Sequence, residues 1–446
     1  MTTYTAVRAP VQRGASGWVA ILGEAPEPQV LEQDTTADFV VVGAGFAGLA
    51  AARRLTELAP GARIVVLEAG RVAESAAGRN SGFMIDLPHN LPGGEHTAAR
   101  GEKELIALNR QAQDFAGAAV EDYGIDPHYF DRAGKINGVV DDRTQKIVDH
   151  ERAHLSEIGE PFEMLGAQTM REVTGSTYYQ GGIFTPGTVM LQPAGFIRGM
   201  AAGLCRAGVD IFEDSPVTAF TRDSEGWSVI TPKGRVSTGK VILGVNGHLE
   251  SFGVARGRLM QLFLFGAMSP ELTGDQLRKL GGQARWGITP ADPMGATVRR
   301  IDPGQGGNRV IVRAAAAMRS GMRSRALDLM RARRSMQQRF DARFPALAGL
   351  PMEHVWAGHL CLSLNGVAVM GEVDWGVYSA CVQNGLGTAR GTLTGIGAAE
   401  LACGEESAIT RRFLAEPEPR KLPPQPFRDI GGNIAIRWKE WRARLA

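Results

Sequence analysis

The chain reads as an α/β protein built from two interleaved domains, and three observations predict this. A strand, a glycine turn, a helix and a second strand follow one another at residues 38–67. Nucleotide-type segments at both ends of the chain bracket different material between them. Glycine is in excess, at 57 of 446 residues against roughly 7 % in an average chain. The excess has no collagen-like period, and hydrophobic residues at 44 % and charged residues at 22 % are ordinary globular values. Disordered and fibrous classes are thereby excluded. At about 150 residues per domain the length allows two or three domains.

Taken in order, residues 1–36 are polar and proline-bearing and form an N-terminal extension packed on the larger body. Asp38 to Val42 (DFVVV) is a buried strand by its β-branched run. An Ala/Leu/Arg-rich helix follows and stops at Pro60-Gly61, and ARIVVL (62–67) is a second buried strand. This βαβ start predicts parallel strands and a right-handed crossover. Helical patterning occupies 101–124 and 142–158, with a turn-rich region between them. A helix is predicted over 193–207 and a strand over 209–213. Strands follow over 217–231 and 236–245, then over 258–268 and 308–315. A helix over 324–341 precedes Phe344-Pro345, glycine-rich strands and turns fill 356–391, and 392–402 is helical. The chain closes on a proline-rich tail and a short helix bearing Trp438 and Trp441.

Bulk properties exclude several functions. A net charge of +2 gives no electrostatic case for nucleic acid. The four cysteines form no CxxC pair, and residues 1–14 lack the apolar core of a secretory signal. The expected compartment is the reducing cytoplasm, with contact at a membrane surface left open. No apolar run approaches the ~18–20 residues that span a bilayer.

The main motif is Gly43-Ala44-Gly45-Phe46-Ala47-Gly48, between a strand and a helix. Gly43 serves the tight turn, Gly45 the approach of a pyrophosphate, and Gly48 the packing of helix on strand. The helix N-terminus then offers free N–H groups and a favourable dipole to phosphates. Glu68 ends VVLE twenty residues after Gly48, where a carboxylate accepts hydrogen bonds from ribose hydroxyls.

The next segment, Glu68-Ala69-Gly70-Arg71-Val72 through Ala77-Gly78-Arg79-Asn80-Ser81-Gly82, is long, polar and small-residued. It resembles the corresponding loop of the D-amino-acid oxidase-like flavoprotein superfamily, in the branch of glycine oxidase, sarcosine oxidase and gamma-glutamylputrescine oxidase. Ala77 stands where the family has Ser, and Ser81 where it has Gly. The resemblance continues through Gln192-Pro193-Ala194, Val217, Val241 to Gly247 including Asn246, Arg343-Phe344-Pro345, Trp356-Ala357-Gly358 and Val377 to Ala380. Gln383-Asn384-Gly385-Leu386-Gly387-Thr388 occupies the place of a family turn beside the flavin ring, without that turn's His.

The resemblance implies a Rossmann-type FAD-binding domain interleaved with an α+β substrate domain containing a mostly antiparallel sheet. It assigns 37–100, 191–250 and 352–402 to the FAD-binding domain. Residues 101–190 and 251–351 fall to the substrate domain, and 403–446 to a C-terminal tail and helix. FAD would be held non-covalently. The implied reaction is oxidation of a C–N bond of an amino acid or secondary amine to an imine, with oxygen or a quinone or other electron carrier as oxidant. A 2-hydroxy-acid dehydrogenase is the alternative on the same fold. Oligomeric state stays open.

An anionic substrate calls for a cationic clamp, best supplied by Arg. Arg299, Arg300, Arg309 and Arg313 surround a predicted turn in the substrate domain. Alternation lets only one of Arg299 and Arg300 face the pocket, and Arg300 is favoured. His89 and His359 are further candidates near the ring. A rival of another class is a zinc peptidase through His150-Glu151-Arg152-Ala153-His154, a literal HExxH. Its flanks lack a third ligand motif and read as a charged exposed helix, so no metal site is assigned.

Overall fold

The computed structural model describes residues 2–88 and 99–446. The strands form two large sheets. In the first, five parallel strands run in the spatial order Asp210–Phe212, Ile64–Leu67, Thr35–Val42, Arg235–Leu243 and Val377–Cys381. Their centres are apolar on both faces, as a sheet covered on both sides requires. Helix Phe46–Leu58 packs against helix Ala389–Cys403 at short range. A Cβ on Gly395 would lie 2.1 Å from the Ala47 carbonyl oxygen. Part of the glycine excess therefore serves this helix–helix approach. The meander Ala219–Arg222 and Trp227–Ile230 pairs with the first half of Arg235–Leu243. Thr3–Thr5 extends its edge.

The second sheet has eight strands. Their order is His354–Ser363, Leu259–Met268, Arg309–Met318, Thr297–Ile301, Trp286–Pro290, Lys135–Val139, Gly181–Thr185 and Glu163–Gly166. Every pairing is antiparallel except that of Trp286–Pro290 with Lys135–Val139. Two differences from the sequence reading stand out. Lys135–Val139 (KINGV), in the region read as turns, is a strand whose polar and glycine residues hide its period. His354–Ser363, expected among the FAD-domain strands, pairs along its whole length with Leu259–Met268 in the second sheet. Its alternation identifies a strand but not the sheet that receives it.

A small sheet of Phe83–Met84, Val189–Leu191 and Phe130–Asp131 lies between the two. The N-terminal residues are integral to the body. Trp18 is fully buried, and Val11 bridges to Arg323.

Candidate cofactor and substrate site

A cleft of about 800 Å³ opens between the two sheets. Its first wall is the glycine turn. Gly43 has φ +100°, and a Cβ there would meet the Gly244 carbonyl oxygen at 2.9 Å. A Cβ on Gly48 would lie 1.8 Å from the Gly43 oxygen. Gly45 differs, because its Cβ would meet only Ala77 at 3.7 Å, so this residue faces open cleft. Helix Phe46–Leu58 starts with no side-chain cap and no acid in its first turn. Its free N–H groups and positive end are left for an anion.

Glu68 is buried at the end of the adjacent strand. Its carboxylate accepts from the N–H of Ala44 at 2.8 Å and of Gly70 at 3.3 Å. Burial raises its pKa above the ordinary carboxylate value, against the pull of these bonds. Asn246, at φ +48°, carries a buried Oδ1 with no partner among the described residues. An open glycine, uncapped backbone donors, a buried carboxylate and an orphaned amide oxygen on one wall fit a phosphate- and ribose-bearing cofactor.

The loop after Glu68 is stapled from three directions. Ser16 Oγ donates to the Gly78 carbonyl (2.6 Å) and Trp18 Nε1 to that of Asn80 (2.9 Å). Trp356 Nε1 donates to the Arg79 carbonyl (2.9 Å). Arg79 reaches the carbonyls of Gly14 (2.7 Å) and Ala357 (3.1 Å). Arg299 is fully buried beneath the loop, donating to the carbonyls of Gly82 (2.8 Å) and Leu191 (2.7 Å) and to Gln305 Oε1 (2.8 Å). Its guanidinium stacks on Trp18 and Phe83.

The opposite wall is the eight-stranded sheet. Trp356, Gly266 and Arg313 are neighbours across it, and all three line the cleft. The Arg313 guanidinium has no hydrogen-bond or ion-pair partner among the described residues. Burial lowers its pKa to about 10, so it stays cationic at neutral pH. His359 also lines the cleft, and its Nε2 lies 2.9 Å from Gln261 Oε1. Gln261 Nε2 donates to the Gly247 carbonyl and to Glu250. Its Oε1 must therefore accept, which assigns the proton to His359 Nε2 and leaves Nδ1 an acceptor. Burial lowers the His359 pKa to about 4, so the ring is neutral near pH 7. The turn Gly385-Leu386-Gly387-Thr388 closes one end, where helix Ala389–Cys403 begins without a side-chain cap.

The structure thus brings most of the expected cofactor residues together. Gly43, Gly45, Phe46, Ala47, Glu68, Ala69, Arg71, Arg79, Asn80, Ser81, Val217, Asn246, Gly385, Gly387 and Thr388 all line one cleft. Gly48, Gly78, Gly82 and Leu386 are not on its surface. Gly78 and Gly82 are needed for packing, since a Cβ would lie 1.9 Å from the Ala73 oxygen and 2.0 Å from Arg299 Nη1.

The substrate clamp requires a correction. Neither Arg299 nor Arg300 lines the cleft. Arg299 fastens the loop, and Arg300, on the other face of the strand, donates to the Gly281 carbonyl. Of the four arginines considered in the substrate domain, the one that lines the cleft is Arg313, one strand over. Its signal in the sequence is a lone Arg inside an apolar strand, RVIVRAAAAM. The N-terminal segment was also missed as a lining element, for Ala6 to Pro10 and Gln12 border the cleft. Gln12 Oε1 accepts from the His359 backbone N–H at 2.8 Å. His89 lies outside the described residues. The HExxH residues are spread among structural partners: His150 is exposed, Glu151 accepts from Asn137, and His154 pairs with Glu102.

Comparisons with known proteins agree with this geometry. The glycine oxidase of Geobacillus kaustophilus superposes with a TM-score of 0.69 at 18 % identity, over 84 % of this chain and 96 % of that one. NikD, an amino acid oxidase of nikkomycin biosynthesis, gives 0.65 at 16 % identity, over 85 % and 97 %. The probable oxidoreductase OrdL of Haemophilus influenzae is 25 % identical over 394 residues, 85 % of this chain and 86 % of that one. The gamma-glutamylputrescine oxidoreductase of Escherichia coli is 26 % identical over 222 residues, 49 % and 51 % of the two chains. The family described as DAO, FAD dependent oxidoreductase, matches residues 38–401. With the cofactor wall built as above, this chain is a member of that family of FAD-dependent oxidoreductases.

Proposed function

We propose that this flavoenzyme oxidises a C–N bond of a carboxylate-bearing amine, an amino acid or secondary amine, to an imine that hydrolyses in water. The carrying observation is Arg313, a partly buried cation on the wall opposite the expected cofactor residues, without a hydrogen-bond or ion-pair partner among the described residues. A desolvated guanidinium is matched by a carboxylate in two parallel hydrogen bonds. Amino-acid and amine oxidoreductases among the similar proteins support the same class.

FAD, when bound, supplies the hydride acceptor. The chain supplies the rest. Arg313 fixes the carboxylate and so orients the adjacent C–H bond across the cleft. Phe265, Ile311 and Trp356 wall the space around it with apolar surface. His359 Nδ1, on a ring with a pKa near 4, is too weak a base to retain an ammonium proton. The amine therefore enters neutral, with its proton left to solvent. The uncapped start of helix Ala389–Cys403 favours negative charge in the cleft. Reoxidation would call for oxygen, or for a quinone or other carrier, as oxidant.

The test is anaerobic bleaching of the flavin absorbance by amino acids and N-alkyl amino acids, by their decarboxylated analogues, and by 2-hydroxy acids. Bleaching by the first group and not by the second is expected. Bleaching by 2-hydroxy acids alone overturns C–N oxidation.

A further inference from the structure

Helix Phe427–Arg442 plays no part in the cleft, yet its two faces are sharply distinguished. One face docks on strand Arg309–Met318. Gly432 allows close approach, since a Cβ there would lie 2.3 Å from Met318 Sδ. Asn433 exchanges hydrogen bonds with the Met318 backbone at 3.1 Å in both directions. Glu440 accepts from the Ala316 N–H at 2.7 Å, and Ile436 is buried.

The other face carries Phe427, Ile430, Ile434, Trp438 and Trp441, exposed by between 53 % (Trp438) and 70 % (Phe427). At 3.6 residues per turn these five fall within an arc of about 80°, roughly opposite the docked face. Helices of soluble domains normally turn such a stripe inward.

The charges are sorted as well. Both acids of the helix are turned to partners: Asp429 accepts from Ser320, and Glu440 from Arg331 and Arg437. The exposed charges at this end are Lys439, Arg442 and Arg444, all cationic. Arg442 and Arg444 lie over the rings of Trp438 and Trp441. The neighbouring helix Ala326–Arg343, tied on by Arg331–Glu440, repeats the pattern. Leu327 and Met330 are exposed on it, whereas Asp328 is buried and paired with Arg319.

We propose that this surface docks the enzyme on an anionic lipid bilayer as a peripheral helix lying in the interface. The chemistry matches on two counts. Trp and aliphatic side chains partition into the headgroup boundary, and flanking Lys and Arg meet acidic headgroups. The helix has no exposed acid of its own with which a second copy could pair Lys439, Arg442 and Arg444, whereas acidic headgroups supply that negative charge. No helix among the described residues is long and apolar enough to cross a membrane, so attachment is by this face alone.

Co-sedimentation of the FAD-loaded full chain with vesicles of phosphatidylcholine, with and without phosphatidylglycerol, tests the proposal. Light scattering reports the oligomeric state. The protein should pellet with the anionic vesicles, release at high salt, and stay in solution with pure phosphatidylcholine. Trp438→Ala/Trp441→Ala, and separately Lys439→Glu/Arg442→Glu/Arg444→Glu, should each reduce binding about tenfold or more, with flavin content unchanged. Absence of binding to anionic vesicles overturns the proposal. So does binding that both variants retain, or a dimer that the tryptophan variant dissociates while vesicles capture nothing.

Discussion

The two walls of the cleft are made differently. The wall of expected cofactor residues is largely backbone: the turn at Gly43 to Ala47, the loop after Glu68, and, much later in the chain, Asn246 and the turn Gly385 to Thr388. The opposite wall is side chains, Arg313, Trp356 and His359, carried by two strands that flank Leu259–Met268 on either side. Contact through backbone constrains which residues can be present at all, so it leaves glycines at fixed spacing. Contact through side chains constrains only which way a strand faces. Arg299 and Arg313 show the consequence. They lie on paired strands, Arg299 fully buried and Arg313 partly exposed, and their surroundings give them different work. Arg299 donates through Nη1 to the carbonyl oxygens of Gly82 and Leu191 and fastens the loop. Arg313 has no hydrogen-bond or ion-pair partner among the described residues and lines the cleft.

The largest expected effect separates two glycines of the first wall. In Gly48→Ala the new Cβ meets backbone at 1.8 Å, and overpacking of this kind costs about 1–3 kcal/mol or more. Thermal unfolding should show this loss even without FAD. Gly45→Ala should leave the apoprotein's Tm nearly unchanged and weaken FAD binding at least about tenfold, or ~1.4 kcal/mol. Equal loss of Tm in both would erase the distinction between packing and cradle.

The arginine pair comes next. Arg299→Met strands buried carbonyl acceptors, at about 1–3 kcal/mol each, and should lower stability and flavin content together. Arg313→Met should keep both and raise KM for a carboxylate-bearing substrate on the order of 100-fold, about 2.7 kcal/mol. Steady-state kinetics beside denaturant melts would decide it, and loss of flavin from the Arg313 variant would break the comparison.

A third test uses pH. His359 titrates near 4 in the folded chain against an ordinary 6.5. Above about 6.5 it is neutral in both states and contributes no pH dependence. As pH falls from about 6.5 towards 4 the unfolded chain takes the proton first, so stability is lost at up to about 1.4 kcal/mol per pH unit. His359→Gln should flatten that part of the stability curve, and an unchanged slope would remove His359 as its source.

The smallest effect is expected at Glu68. Glu68→Gln keeps the shape and one acceptor, so FAD affinity should fall about tenfold or less. Unchanged affinity in a flavin titration would sink its ribose role.

The first sheet was legible because DFVVV, the glycine turn and ARIVVL are contiguous and each obeys a local rule. The second sheet was legible as strands but not as an arrangement. Nothing local in HVWAGHLCLS says that it pairs with Leu259–Met268. Arg313 was visible as one of four arginines, but choosing among them required strand direction and register. The N-terminal residues gave the least warning, since their place beside the cleft depends on partners hundreds of residues away.

Those distant partners also bear on how the chain reaches its fold. Residues 3–5 pair with 219–221, Val11 bridges to Arg323, and Arg13 accepts from the Ala357 N–H. Closing such long loops is slow. On a ribosome, the cleft cannot be completed until its last lining residue, Gly391, has emerged, so the earliest-made segment must wait for one of the latest. FAD therefore meets a finished site only at the end of synthesis. At 100 times its Kd, the free cofactor would then add about 2.7 kcal/mol of stability, holding together stretches that were made far apart in time.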